Sequence, residues 1–422
     1  MTQPVNPGVC FCPTCGCSST EPFYAADVTS DAGWLCKTDQ GYYLEAHGDR
    51  SHIYHLESPF APDQQDGMPD SVFVYLEGES SPPSELRRCC PHCFEGRSNM
   101  AGTSRKTHFG HYNGRVPIFV VLLIGPPSTG KSAYLGALGS GALDPLNLLD
   151  YPYQVTLART NRLVEISKRT TEYGDKGNSN YLEIRERNRS DEELPAAIVM
   201  LLDAGGEHLE NFAITEAFDS APELDTPLRR IIRGDGTPHY TGIHGAILVS
   251  PAVDTRNDKS SSETNANSVT TTGIAVGLSS VLRRIPVAFV YSCGDMLISE
   301  EERRPDKDRA PLLTRDTFPN AAHTAEYFLL RSKHFEPDRI QERWMIQEEI
   351  ARSVRCPDYS RIYSRFQKFI RGFIVRSCES IPGENGTTND NYTHQFNVAD
   401  PIVWLLTQLK LFPFEPRGGD RL

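Results

Sequence analysis

Five stretches of the chain are almost uninterruptedly apolar: VPIFVVLLIG (116–125), AAIVMLLD (196–203), GAILVSPA (245–252), IPVAFVYS (285–292) and GFIVRS (372–377). Runs of this length, bounded by Gly, Pro or charge, suit strands buried on both faces of a parallel sheet. YLEIRERN (181–188) alternates apolar and charged positions instead, the pattern of an edge strand lying before AAIVMLL. With helical segments such as SAYLGALG and GLSSVLRR between them, these six strands predict a three-layer, doubly wound, mostly parallel α/β sheet. RIQERWMIQEEIARSVR adds a helix with Ile346, Ile350 and Val354 at i, i+4 and i+8, a stripe for packing on the sheet or for a partner. The first 90 residues look different. GYYLEAHG, HIYHLES and SVFVYLEGES are short aromatic and β-branched runs split by turn residues, a small β-rich unit. TRNDKSSSETNANSVTTT (255–272) is polar and of low complexity, hence a loop.

Composition changes the picture in two places. The 422 residues, 38% hydrophobic, allow two or three domains of ~150 residues, and no apolar run approaches the ~18 residues that span a bilayer. The net charge of −12 is local: residues 1–84 hold twelve acids against Lys37 and Arg50, so the rest of the chain is close to neutral. An acidic N-terminal unit repels phosphate backbones, which turns the expected partner from nucleic acid to protein. Eight of the eleven cysteines also fall within residues 1–93. The start, MTQPVNPGVCFC, has no charged-then-apolar leader, so a reducing cytoplasm is expected, where clustered thiols favour metal over disulfides.

Two of the thiol groups share one grammar, Cys12-Pro-Thr-Cys15 and Cys90-Pro-His-Cys93. Each Cys-x-x-Cys turn sets two thiolates on one side of a tight loop, and two turns supply the four soft ligands of tetrahedral zinc. Buried free cysteines, or a redox dithiol, are the competing readings. Seventy-four residues separate the pairs, so the β-rich unit is an insertion in a zinc-ribbon-like module spanning 1–110. Cys10, Cys17, Cys36 and Cys89 are spare thiols, and His108 and His111 are further candidate ligands or plain solvated residues.

The run 116–124 feeds directly into Gly125-Pro126-Pro127-Ser128-Thr129-Gly130-Lys131-Ser132 and then a helical pattern: a GxxxxGKS phosphate loop in its strand–loop–helix context. Loop N–H groups cradle phosphate, Lys131 reaches the β/γ oxygens, and the Ser132 hydroxyl serves Mg²⁺. AAIVMLL ends in Asp203, placed to hold a Mg²⁺-bound water, and Gly206 follows three residues later, its N–H open to a γ-phosphate. Residues 111–415 form the nucleotide domain on this reading.

These motifs together carry a resemblance. Strand–GPPSTGKS–helix, LLDAGGE, GAILVSPAVD and IPVAFVYSCGD resemble the Ras-like and translation-factor-related P-loop GTPases. The chain is most similar to bacterial double-GTPase-like proteins of conflict and defence systems, which join a CPxC zinc module to a P-loop, a D-x-G-G-E element and a phrase like VADPIVWLL (398–406). The resemblance, over roughly 110–410, implies GTP and GDP as ligands, with Asp295 reading guanine and Ser377 in the last base-contacting loop. It also places Glu207 or His208 at the water-orienting position, and implies a further hydroxyl on Mg²⁺ from residues 160–185, where Thr170, Thr171 and Ser179 are candidates. Cys293 stands where the family has a Lys before that Asp. The functions left in play are a GTP-hydrolysing switch with Mg²⁺ and Zn²⁺ acting on a protein partner or a second GTPase chain, a P-loop ATPase or phosphotransferase, and a nucleotide-gated scaffold. A carboxylate at Glu207, close to the γ-phosphate, implies slow intrinsic hydrolysis. The arginines 352, 355, 361 and 365 read as a solvated face.

Overall fold

The computed structural model describes residues 3–26, 31–39, 41–47, 53–56, 69–75, 84–95, 109, 112–126, 129–139, 143, 153–158, 180–187, 194–203, 227–251, 271–292, 340–353, 357–366, 370–375 and 397–411. The chain opens with a two-stranded antiparallel ribbon, β1 (Cys10–Phe11) and β2 (Ser18–Ser19), folded around the first Cys-x-x-Cys turn. Six antiparallel strands then close into a small barrel: β3 (Phe23–Ala25), β4 (Ala32–Thr38), β5 (Gly41–Ala46), β6 (Ile53–Leu56), β7 (Ser71–Tyr75) and β8 (Ser84–Arg88). The three runs read as strands are β5, β6 and β7. In β7 the period of two is direct: Val72 and Val74 enter the barrel core with Tyr24, Leu35, Leu44 and Leu86, while Phe73 and Tyr75 face out. Arg88 is fully buried, its guanidinium paired with Asp70 at 3.1 Å. A short helix, Pro91–Glu95, carries the second Cys-x-x-Cys pair away from β8.

The second sheet has seven strands: β9 (Ile118–Ile124), β10 (Tyr153–Ala158), β11 (Asn180–Glu186), β12 (Ala197–Asp203), β13 (Gly245–Pro251), β14 (Val287–Ser292) and β15 (Ile370–Ile374). Their order is β10-β11-β12-β9-β13-β14-β15. The five apolar runs are the five mutually parallel strands, and β9 and β14 are buried at every position, as a sheet covered on both faces requires. The six-strand expectation needs correction. YQVTLA forms a seventh strand, so 181–188 is not the edge; β11 lies between β10 and β12, antiparallel to both.

Alternate residues of each strand feed two cores. One face holds Val120, Leu122, Ile198, Met200, Leu248 and Phe289 beneath the Pro227–Arg233, Thr271–Gly277 and Pro357–Phe366 helices. The other holds Val121, Leu123, Val199, Leu201 and Val249 beneath the Lys131–Ala137 and Asp400–Gln408 helices. The Ile340–Ser353 helix lies along β15, burying Ile340, Arg343, Trp344, Gln347 and Ala351. Of the stripe proposed for it, Val354 and the side chains of Ile346 and Ile350 lie outside the described residues. Its buried polar residues are satisfied together: Arg343 pairs with Asp400, Gln347 Nε2 donates to Asp400 Oδ2 at 2.6 Å, and Ile374 N donates to Gln347 Oε1 at 3.1 Å. Among the expected solvated arginines, exposed Arg352 lies 4.1 Å from the Tyr363 ring centre and bonds Glu348 at 2.6 Å. Among the described residues, no helix is long and apolar enough to cross a membrane.

Candidate functional site

β9 delivers the chain to the phosphate loop, and two glycines set the loop's shape. A Cβ on Gly125 would lie 2.5 Å from the Val249 carbonyl oxygen, so only glycine lets β9 leave the sheet this close to β13. Gly130 sits at φ +88° directly before the Lys131–Ala137 helix, in the left-handed region where glycine carries no Cβ penalty. Thr129 Oγ1 closes the loop by donating to Pro126 O at 2.9 Å. Pro127 and Ser128 lie outside the described residues.

Lys131 is 8% exposed and folds back across the loop, donating to the carbonyls of Gly125 at 2.7 Å and Pro126 at 3.0 Å. Burial lowers its pKa, opposed by the negative charge of Asp203. Asp203 ends β12, in register with Leu123 on the neighbouring β9, so its carboxyl lies at the C-terminal edge of the strand pair, where β9 leads into the loop that carries Lys131. Burial raises the Asp203 carboxyl from its ordinary 3.8 to about 6, with Lys131 pulling the other way. Its Oδ1 is buried without a hydrogen-bond partner among the described residues. A buried acceptor beside a half-satisfied ammonium is a site suited to a hard cation and anionic oxygens. Ser132, half-buried in the first helical turn, is the hydroxyl next in line. Gly206, Glu207, His208, Asp295 and Ser377, and the hydroxyl candidates Thr170, Thr171 and Ser179, lie outside the described residues.

Sequence reasoning assigned no role to Ser292. The last residue of β14, it donates its hydroxyl to Thr129 O at 2.6 Å, with Ser250 O at 3.3 Å. It thereby ties the strand leading toward Asp295 to the phosphate loop, and its Cβ and Oγ are the atoms that a Cβ on Gly130 would meet, both at 3.3 Å. Its place at the head of the SCGD tetrad was the available signal.

The second candidate centre is the cysteine cluster. The Sγ atoms of Cys12, Cys15, Cys90 and Cys93 lie within 4.8 Å of one another, with Cys12–Cys93 at 3.7 Å and Cys15–Cys90 at 3.5 Å. A tetrahedral zinc with ~2.3 Å bonds has sulfur–sulfur edges of ~3.8 Å, so the donor set fits that ion. Burial, and the other thiols around it, push the Cys12 thiol well above its ordinary range, a penalty that a dication removes by displacing the protons. Of the spare thiols, Cys17 packs against the cluster and faces the Cys15 carbonyl at 3.9 Å without joining the four-sulfur set, whereas Cys10 faces the Asn113 carbonyl at 4.0 Å, Cys36 lies near Glu45, and Cys89 packs among aromatics. His108 and His111 lie outside the described residues.

This knuckle is seated on the second sheet's domain. Gly16, at φ +72°, leaves no space for a Cβ, which would lie 2.7 Å from Ile231 N. Arg230 Nε donates to Cys15 O at 3.0 Å, and Asp235 accepts from both the N–H and the hydroxyl of Ser18. Phe11 packs against Tyr240 with ring centres 4.4 Å apart and the ring planes tilted by 47°.

No family model matches the sequence, and no curated protein does. Solved structures do. One is the signal recognition particle receptor SRb-GTP/SRX complex from Chaetomium thermophilum, at 12% identity over 63% of this chain and 93% of that one, TM-score 0.24. Another is the cytosolic domain of the T. maritima FeoB iron transporter in GMPPNP form, at 12% identity over 60% and 96%, TM-score 0.20. The structural neighbours are GTP-binding proteins. With TM-scores this far below 0.5, the functional reading rests on the chain's own geometry.

Proposed function

We propose that the chain is a P-loop GTPase switch that binds GTP with Mg²⁺, hydrolyses it slowly and passes its nucleotide state to a protein partner. The observation that carries this is the pairing of buried Lys131 with the half-buried Asp203, whose Oδ1 is shielded from solvent, beyond the C-terminal edge of β9 and β12. Lys131 gives up the Gly125 and Pro126 carbonyls for the β/γ oxygens of the nucleotide. Ser132 and Asp203 are the Mg²⁺ side of the site, Ser132 through its hydroxyl and Asp203 through a metal-bound water; the ion neutralises charge on the transferred phosphoryl group. Glu207 or His208 orients the attacking water, and Asp295 and Ser377 belong to the base-reading side. The four cysteines hold zinc as a structural staple of the 1–110 module, while 111–415 is the switch. A role in bacterial conflict or defence follows from the sequence resemblance alone.

A titration of the full chain with fluorescent GTP and ATP analogues, with and without Mg²⁺, tests the reading. GTP binding that Lys131→Ala abolishes is expected. Equal or tighter ATP binding overturns the guanine assignment and favours an ATPase or phosphotransferase, the reading to which Cys293 in place of Lys points. No binding of either overturns the whole proposal.

A further inference from the structure

Asn180 opens β11 and stands directly opposite Leu201 of β12. Opposed residues of an antiparallel pair share a face, and Asp203, two residues beyond Leu201, shares it too. That face is the one covered by the Lys131–Ala137 helix: Leu182, Leu201, Tyr134 and Leu135 belong to one core. Diagonal neighbours of this kind are ~7–8 Å apart at the backbone. A backbone separation of that size between two short polar side chains on one face is compatible with a small hydrated group shared by both.

Both tips are acceptors. Asn180 is 3% exposed, and its Oδ1, like Oδ1 of Asp203, is buried without a hydrogen-bond partner among the described residues. Leu182 and Ile184, on the same face of β11, are ordinary core residues, so an amide at position 180 is a departure from the strand's own pattern. Buried amide oxygens are normally satisfied, and two unpartnered acceptor oxygens on one face of neighbouring strands, one of them beside Lys131, match the shell of a hard cation and its water.

We infer that Asn180 is a positioning residue for Mg²⁺, its amide oxygen accepting a hydrogen bond from a metal-bound water on the side opposite Asp203. The inference rests on the nucleotide reading above and adds to the hydroxyl expected from 160–185 a ligand-shell residue of another chemical type. Groups one shell out from a metal change its affinity by ~10–100-fold when removed.

The test separates metal from nucleotide. Fluorescent GDP is held at fixed concentration while Mg²⁺ is titrated, and GDP affinity is measured separately in excess EDTA. Asn180→Leu is expected to raise the Mg²⁺ midpoint about tenfold or more, with affinity in EDTA kept within about twofold; Asn180→Asp, which keeps an acceptor oxygen, is expected to restore the midpoint. A midpoint for Asn180→Leu within about twofold of wild type overturns the inference, since a merely structural role would leave it there. Loss of affinity in EDTA as well marks a disturbed β11, and Asn180→Ala then decides by the same midpoint. A wild-type chain that binds no nucleotide, or binds it without regard to Mg²⁺, overturns the nucleotide reading itself, and that result is visible before any Asn180 variant is made.

Discussion

Ser292→Ala is the substitution that most directly asks whether the phosphate loop is held in place from the neighbouring strand. The Ser292 hydroxyl reaches Thr129 O at 2.6 Å, and both residues are buried, at 1% and 3% exposure. Removing it leaves the Thr129 carbonyl without that donor where water does not compensate, a loss of about 1–3 kcal/mol. Thr129 O lies one residue before the left-handed Gly130 and two before Lys131, so relaxation of that peptide moves the groups meant to meet phosphate. If the loop must be returned to its place on binding, 1–2 kcal/mol appears as about 5- to 30-fold weaker nucleotide affinity. Urea denaturation gives the stability part and fluorescent GTP titration the binding part. Ser292→Cys, with a weaker donor, should fall between wild type and Ala. Wild-type affinity together with wild-type stability in Ser292→Ala would refute the reasoning, because a buried bond of this length cannot be lost without appearing in one of the two.

Other consequences are equally measurable. His244 accepts from Val120 N–H at Nδ1, 2.9 Å, and meets Gln3 O through Nε2 at 2.7 Å, a pattern that fixes the neutral ring; burial lowers its pKa from 6.5 to about 4. A depressed base contributes stability above pH 6.5 that is lost as pH falls toward 4, about 2 kcal/mol by pH 5, so the urea midpoint should drop over that window and His244→Gln should flatten the drop. Purified protein should carry one zinc, lost in Cys12→Ser or Cys90→Ser and kept in Cys17→Ser, by elemental analysis; retention of zinc in Cys90→Ser would break the four-cysteine assignment. Gly125→Ala should unfold or severely destabilise the chain through its clash with Val249 O, whereas Gly136→Ala, in the same region but with nothing within 4 Å of its Cβ, should stabilise it by up to ~1 kcal/mol in thermal melts.

What could be read in advance follows from how local each signal is. The five parallel strands were legible because double-sided burial writes a continuous apolar run, and Lys131 and Asp203 because each sits at a fixed offset from such a run. The cysteine pairs were legible across 74 residues because their spacing within each pair is local, although what separates them is a whole barrel. YQVTLA was missed because an edge strand alternates over only six residues, and its apolar positions Val155 and Leu157 look like those of a loop beside a core. Ser292, Asn180 and His244 are ordinary polar residues in sequence. Their roles come from register, since the partner that gives each its meaning lies between 21 and 241 positions away. Asp400 shows the same limit from the other side: it belonged to a recognisable phrase, but its buried pairing with Arg343 had no local sign.

The seating of the cysteine knuckle gives the N-terminal module a mechanical relation to the seven-stranded sheet. A zinc held by four thiolates carries a net charge near −2, which a buried site tolerates only with cations or donors nearby. Arg230 supplies both, its Nε on the Cys15 carbonyl, from a helix that begins 21 residues after Gly206. Gly16 against Ile231, Ser18 on Asp235 and Phe11 on Tyr240 fix the same helix and the loop after it from three further directions. Because the loop ends at His244, whose ring bridges Gln3 and β9, the knuckle, the helix and the first strand of the phosphate site cannot shift independently. Were the cysteines to take a metal and the Gly125–Ser132 loop a nucleotide, any coupling between them through this helix would be equal in both directions.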